Sequence, residues 1–91
     1  MKIKKVIKMN GSIQRFDKNK IKRSIEKTLR QSRIRDGKLA TKLTDEVVSS
    51  LEKRHKKDTI PVWDIKNTIE WVFVKNKLPD AAKFYILYRF M

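Results

Sequence analysis

The sequence predicts a mostly helical α+β fold in which an N-terminal β-hairpin packs on a four-helix bundle. Three observations predict it: a β-branched segment that ends in Asn-Gly, later segments with apolar residues at helical spacing, and only two Gly and two Pro in 91 residues. So few glycines and prolines leave little chain for long irregular loops. A chain of this length has room for one modest core, so we expect a single domain over residues 1–91.

The hairpin is expected over residues 2–16. A β-branched run at residues 3–8 gives the first strand, and residues 13–16 give a shorter second one. Asn10-Gly11 lies between them and is the strongest short-range hairpin signal, because both residues tolerate a positive φ. A tight turn is therefore expected to join the two strands.

The first two helices are predicted from their start signals and apolar spacing. Asp17 suits the N-cap of the first helix. Its apolar stripe repeats every four residues and consists of Ile21, Ile25 and Leu29. The second helix follows the break at Asp36-Gly37, and its apolar face is formed by Leu39, Leu43, Val47, Val48 and Leu51. We expect it to end in the cationic run of residues 53–57, since cations stabilise a helix C-terminus.

The last two helices each follow a proline. Residues 58–60 form a break, and Pro61 is expected in the first turn of the third helix, where a missing N–H is tolerated. The apolar stripe of this helix is Ile65, Ile69, Val72 and Phe73. Pro79 marks the start of the fourth helix, which carries Ala81, Ala82, Tyr85 and Ile86. Trp63 and Trp71 lie near one face of the third helix; they either pack or, if exposed, anchor a partner.

Charge narrows the class of ligand. Lys and Arg number 24 against 10 acidic residues, for a net charge of +14. Such a surface attracts nucleotides, nucleic acid or anionic lipid. The same charge also fits a background composition rich in lysine, as in thermophiles, so both interpretations stay open.

Several kinds of site are excluded by the residues present. The sequence has no Cys, which excludes disulfides, thiolate zinc sites and cysteine nucleophiles. His55 is the sole histidine, and one histidine makes neither a triad nor a zinc site. No Walker-type phosphate loop is present, so an enzyme is not expected. The longest apolar run, residues 71–74, is too short to span a bilayer, and a cytoplasmic protein is expected.

Three blocks of sequence resemble the ATP-cone, a small regulatory domain that binds adenine nucleotides. Val6-Ile7-Lys8-Met9-Asn10-Gly11, with Phe16-Asp17 and Lys20-Ile21 after it, is similar to the family's V-x-K-R-[DN]-G, F-[DN] and K-I. Ile60-Pro61-Val62-Trp63-Asp64-Ile65, followed by Ile69-Glu70, resembles I-x-V-x-[DE]-I and V-E. Ala82-Lys83-Phe84-Tyr85-Ile86-Leu87-Tyr88-Arg89 is close to the closing A-x-x-Y-I-x-Y-R. Together the blocks span residues 4–89 in the family's order.

The resemblance implies a nucleotide sensor. In the family the strand pair lies as a lid over the helices, and ATP or dATP, possibly with Mg²⁺, binds beneath it. Such cones occur at the amino end of ribonucleotide reductases, in the transcriptional repressor of their genes, and in some archaeal phosphoglycerate kinases. We expect allosteric control of a partner or of self-association. The sequence has no reductase cysteines and no zinc ribbon, so a standalone module or an excised part of an enzyme is expected.

The resemblance also implies the residues of the site. It assigns the phosphates to Lys8, with a solvated strand lysine as the alternative. Lys20 is expected to point under the lid, and Gln14 to face the base or ribose. Asp17 combines the N-cap with an approach to the adenine. The implied set is Val6, Lys8, Met9, Asn10, Gln14, Asp17, Lys20, Val62, Lys66 and Arg89.

Met9 is the departure from the family pattern, which has Arg at this position. Losing one charged hydrogen bond weakens binding by roughly 1.5–3 kcal/mol, about ten- to a hundredfold. Lys4 or Lys5 could compensate; the alternatives are a degenerate site or a site that prefers fewer phosphates. Val62 and Lys66 are expected at the start of the third helix, whose free amides suit phosphate. Arg89 is expected to close the site from the fourth helix.

A nucleic-acid-binding protein is the alternative function. The net charge and the basic segment of residues 53–57 support it. No nucleic-acid recognition motif and no basic-aromatic platform accompanies that segment.

Overall fold

The computed structural model describes residues 2–89, with side chains through residue 87. It has three short strands and four helices, and the predicted α+β class is confirmed. In chain order the elements are β1 (Lys5–Ile7), β2 (Ile13–Arg15), α1 (Lys18–Gln31), α2 (Gly37–Arg54), β3 (Thr59–Pro61), α3 (Val62–Lys75) and α4 (Pro79–Arg89).

The predicted hairpin is present, with a longer turn than a two-residue loop. The Lys8 amide donates to the Ser12 carbonyl at 2.8 Å, and the Gly11 amide donates to the Lys8 carbonyl at 2.9 Å. Gly11 has a φ of +85°, whereas Asn10 is not among the residues with positive φ. This is the three-residue hairpin loop in which glycine takes the left-handed position after a type I turn. Asn10 instead uses its Oδ1 to accept from the amide and hydroxyl of Ser12.

A third strand corrects the prediction for residues 58–61. β3 pairs in parallel with β1, with Val6 opposite Ile60 and Ile7 opposite Pro61, so the sheet order is β2-β1-β3. Pro61 is the last residue of this edge strand and the N-cap of α3, one residue before the helix it was expected to enter. An edge strand tolerates proline because no neighbour requires its missing N–H. Ile60 is fully buried, which anchors β3 to the core.

The predicted N-cap of α1 is present, α2 has an N-cap that was not predicted, and the predicted end of α2 is corrected. Asp17 accepts from the Asn19 amide at 2.9 Å, and Asp36 accepts from the Leu39 amide at 3.1 Å. The helix α2 ends at Arg54 and does not continue to residue 57. His55 is already extended, with a φ of −110° and a ψ of 126°, and its Nε2 lies 3.1 Å from Oδ2 of Asp64 at the start of α3.

The helices form a ring around one core. α1 packs against α2 and α4, and α3 packs against α2 and α4, while β1 is the central strand above them. All the predicted apolar stripes contribute buried side chains, including Ile25, Leu43, Val47, Leu51 and Phe73. Buried Thr28, Thr44 and Thr68 each donate to the carbonyl four residues earlier, so their hydroxyls are satisfied.

The outer face of α3 exposes both tryptophans in part. Trp63 is 39% exposed and Trp71 is 52% exposed. The ammonium of Lys75 lies 5.2 Å from the centre of the Trp71 ring, a distance typical of a cation–π contact. These indoles are therefore not core residues.

Candidate functional site

A cleft of about 230 Å³ opens between the sheet and the helices. Its walls come from β1, β2, the first turns of α1, the first turns of α3, and one residue of α4. The cleft is smaller than pockets that enclose a whole drug-sized ligand, roughly 300–1,000 Å³. It therefore holds part of a nucleotide-sized ligand and leaves the rest at its rim.

The floor of the cleft is apolar because several core residues border it. Tyr85 and Ile69 are each 3% exposed, and Ile21 is 5% exposed. Val6, Phe16 and Ile65 complete this surface, each 8–9% exposed. The ring of Phe73 packs behind Tyr85, with ring centroids 6.0 Å apart. Such a floor suits a flat, weakly polar group and holds it by burial of apolar area.

The rim of the cleft is cationic. Lys8, Arg15, Lys20 and Lys66 border it, and Asp17 is the one carboxylate among its lining residues. Within the described part of the chain, the ion pairs involve Lys18, His55 and Lys75, so none of these four rim cations is neutralised by a carboxylate. Cations around a concave apolar surface raise the local concentration of anions.

Strand register explains why Lys8 and Gln14 reach the cleft. Val6 lies directly opposite Gln14 in the β1–β2 pair, so both side chains lie on the inner face of the sheet. Lys8 is two residues after Val6 and therefore lies on the same face of the sheet. Lys5 and Arg15 lie opposite each other on the other face of the sheet, and Lys5 does not line the cleft. Arg15 is the last residue of the edge strand β2 and still borders the cleft, so register does not explain its position.

Helix starts supply the other polar groups. Asp17 is half-buried, and its Oδ1 is engaged by the Asn19 amide, so its first role is the cap of α1. Lys20 follows within the first turn and is exposed. Val62 opens α3, and Lys66 lies one turn later, half-buried. The N-cap of α3 is Pro61, which makes no side-chain cap bond to the first amides of α3.

The structure brings together seven of the ten residues predicted for the site: Val6, Lys8, Gln14, Asp17, Lys20, Val62 and Lys66. Met9 and Asn10 lie in the turn and do not line the cleft. Met9 is 75% exposed, and the side-chain oxygen of Asn10 accepts a hydrogen bond from the Ser12 hydroxyl. The side chain of Arg89 lies outside the described residues.

Sequence reasoning did not assign the apolar floor or two polar neighbours to the site. Arg15, Phe16, Ile21, Ser24, Ile65, Ile69 and Tyr85 also line the cleft. Helical spacing could have indicated some of them, because Ser24 lies one turn after Lys20, and Ile69 one turn after Ile65. Tyr85 was expected on the fourth helix, and it is buried at the cleft.

A second depression offers a poorer site for an anion. It measures about 510 Å³ and lies between the C-terminal end of α1 and the start of α2. Glu26 and Asp36 both line it, together with Arg30 and Arg35. Two carboxylates beside two cations give no net positive field there, in contrast to the cleft.

Among residues 2–89, no helix combines the length and apolar character needed to cross a bilayer. Nor do any three His, Asp or Glu side chains in this part of the chain gather as ligands for a metal ion.

Comparison with known proteins agrees with the geometry. The family model for the ATP cone domain matches residues 4–91. A vitamin B12-dependent ribonucleoside-diphosphate reductase from Thermoplasma acidophilum is 35% identical over 92 aligned positions. That similarity covers 96% of this chain and only 12% of the reductase, so the chain corresponds to a small part of it. The chain belongs to the ATP-cone family.

Proposed function

We propose that this domain binds ATP or dATP in the cleft and uses the bound nucleotide to regulate a partner. ATP-cone domains bind adenine nucleotides and act as regulatory domains in ribonucleotide reductases. The observation that supports the proposal most strongly is the cleft itself, where four cations surround an apolar floor. An adenine nucleotide has the matching parts, a flat base and a polyanionic tail.

The two parts of the nucleotide would use different surfaces. The base and ribose pack on the floor formed by Phe16, Ile21 and Tyr85, with Gln14 beside them as donor and acceptor. The phosphates lie at the rim, against Lys8, Lys20 and Lys66. Mg²⁺ would be held mainly by the phosphates and water, because Asp17 is the one lining carboxylate and it already caps α1.

Several elements of the fold meet at the cleft, and this is how we expect a bound nucleotide to regulate a partner. The lining residues come from β1, β2, α1, α3 and α4, so a ligand there contacts both the sheet and the helices beneath it. A nucleotide that fits one arrangement of sheet and helices better than another shifts the balance between them. We propose that the partner is a ribonucleotide reductase, a transcriptional regulator of its genes, or a second copy of this chain.

Calorimetric titration of the purified protein with ATP, dATP and GTP, with and without Mg²⁺, tests the binding step. We expect saturable binding of an adenine nucleotide and a higher melting temperature. The absence of both heat and thermal shift at millimolar nucleotide would refute the proposal.

Analytical ultracentrifugation tests the regulatory step separately. The protein is compared without nucleotide, with ATP and with dATP, alone and with a reductase whose own cone has been removed. We expect nucleotide to change the mass of at least one assembly. Identical distributions with all ligands would leave binding intact and contradict assembly control.

A further inference from the structure

Ser24 is a half-buried serine of α1 whose side chain lines the cleft. It lies one turn after Lys20, so the two residues share a face of the helix and are about 6 Å apart along its axis. Lys20 is exposed at the rim, whereas the floor residues Ile21 and Ile69 are almost fully buried. Ser24 therefore adds a neutral polar group to the cleft, one turn inside the rim.

The hydroxyl of Ser24 is not used by the described part of the protein. It makes no hydrogen bond within residues 2–87, although the Ser24 carbonyl accepts from the Thr28 hydroxyl at 2.9 Å. Thr28 and Ser32, on the same helix, each donate their hydroxyl to the carbonyl four residues earlier. Because buried polar groups usually have a partner, the half-buried hydroxyl of Ser24 is available to a ligand in the cleft.

The position of Ser24 along α1 indicates which part of a nucleotide it faces. Gln14 and Asp17 lie at the sheet end of the cleft, and Ser24 is seven residues after Asp17, about 10 Å along the helix axis. Adenine carries its amino group and its sugar at opposite ends of the ring system. A base whose amino edge faces Gln14 therefore directs its ribose away from the sheet, toward the level of Ser24.

The chemistry of the other lining groups also favours the sugar as the partner of Ser24. Phosphates carry negative charge, so the cations Lys8, Lys20 and Lys66 suit them better than a neutral hydroxyl does. A ribose hydroxyl both donates and accepts, as a serine hydroxyl does, so either group can supply the proton. The neighbouring floor is hydrocarbon, so a sugar hydroxyl buried there without Ser24 would lose its hydrogen bond.

We propose that the Ser24 hydroxyl hydrogen-bonds to a ribose hydroxyl of the bound nucleotide, so that the cleft distinguishes ribose from deoxyribose. This inference rests on the proposed function, because it assigns one more contact in the same cleft. A neutral hydrogen bond changes affinity by about two- to tenfold. A nucleotide that lacks the contacted hydroxyl is expected to bind more weakly by this factor.

Calorimetric titration of the full chain with ATP, dATP and 3′-deoxy-ATP tests the inference. Ser24→Ala is expected to weaken ATP binding about two- to tenfold. The deoxy nucleotide that lacks the contacted hydroxyl is expected to stay within about twofold of its affinity for the parent, and it thereby identifies that hydroxyl. Alanine is the best helix former, so circular dichroism is expected to show an unchanged fold.

Ser50→Ala is the matched control for this titration. Ser50 is also a half-buried serine on a helix, but it lines a separate depression between α2 and α3. Its truncation is expected to leave the affinities for all three nucleotides unchanged.

Three results would overturn the assignment. An equal loss of ATP and both deoxy nucleotides in the Ser24→Ala variant would place the hydroxyl on the base or the phosphates. Unchanged ATP affinity would show that the hydroxyl makes no contact, and an equal effect of Ser50→Ala would show that the loss does not arise in the cleft. Failure of the parent to bind any of the three nucleotides would instead refute the proposed function itself, which differs from binding that does not depend on Ser24.

Discussion

The cleft and the depression between α1 and α2 both contain cations, and they differ in what lies beside those cations. In the cleft, Lys8 and Lys66 stand at the edge of a floor of buried residues such as Ile69 and Tyr85. In the depression, Arg30 and Arg35 lie beside the carboxylates Glu26 and Asp36. The net positive charge of the rim attracts phosphate to the cleft, and the floor of the cleft can also bury a base. The balance of charge and the apolar floor together therefore decide the class of ligand.

The two surfaces also differ in how much of the fold they require. The cleft needs β1, β2, α1, α3 and α4 in their proper places, whereas the depression needs α1, α2 and the turn between them. Substitutions in the cleft therefore combine effects on binding and on stability, whereas substitutions of exposed cations outside it are expected to change neither strongly.

The largest difference is expected in the free energy of unfolding, between a variant of the cleft floor and a variant of an exposed position. Ile69→Ala removes a side chain that is 3% exposed and belongs both to the core and to the cleft floor. Such truncations cost about 2–5 kcal/mol of unfolding free energy. Arg23→Ala, at an exposed position of α1, is expected to change this free energy by less than about 0.5 kcal/mol. Urea denaturation of both variants measures the difference, and similar losses would contradict the assignment of Arg23 to the surface.

The next largest effect is expected in ATP affinity, from a substitution at the rim of the cleft. Lys8→Gln removes a cation from the inner face of the hairpin and is expected to weaken ATP binding by about 1.5–3 kcal/mol, ten- to a hundredfold. Lys5→Gln is the matched control, because Lys5 lies on the same hairpin, carries the same charge and does not line the cleft. Calorimetry compares the two variants. Equal losses would mean that ATP responds to total charge and not to this rim.

Two substitutions of Asp17 separate its role as the cap of α1 from its effect on ATP binding. Asp17→Ala loses the cap of α1, with an expected cost of about 1 kcal/mol in stability. Asp17→Asn keeps the cap and removes a negative charge from the cleft, so ATP binding is expected to tighten by about 1 kcal/mol or less. Thermal melts and titrations of both variants test this. Weaker binding in the Asn variant would show that the carboxylate itself holds the ligand.

The smallest effect is expected at position 9. Met9 is 75% exposed and follows Lys8 directly, yet it does not line the cleft. Met9→Arg therefore adds a cation near the rim without changing the core, and ATP binding is expected to tighten by about 1 kcal/mol or less. A gain of a hundredfold would mean that position 9 contacts the phosphates directly, against the placement of this side chain.

The helices could be predicted because their apolar residues repeat at the helical period. Ile21, Ile25 and Leu29 are all buried as expected, and Asp17 caps the helix that they line. The strand β3 could not be predicted this way. It has three residues, one of them a proline, and its pairing with β1 joins segments more than fifty residues apart. No local pattern reports such a pairing.

The charged surfaces show the same limit. A run such as residues 53–57 is visible in the printed sequence, but the position of Asp64 beside His55 in space is not. In the depression, Glu26 and Asp36 are ten residues apart in the sequence, and only the packing of α1 and α2 brings both beside Arg30. In the cleft, sequence motifs predicted the polar rim, whereas the floor required the packing of Phe16, Ile65 and Tyr85.

Amide chemical shifts during an ATP titration of the isotope-labelled protein test the central claim most directly. If the cleft binds the nucleotide, the shifts of Val6, Gln14 and Lys66 change together and saturate, while those of Arg30 and Lys53 stay constant. Changes centred on Arg30 or Lys53, or a weak drift over the whole basic surface, would contradict a nucleotide site beneath the sheet.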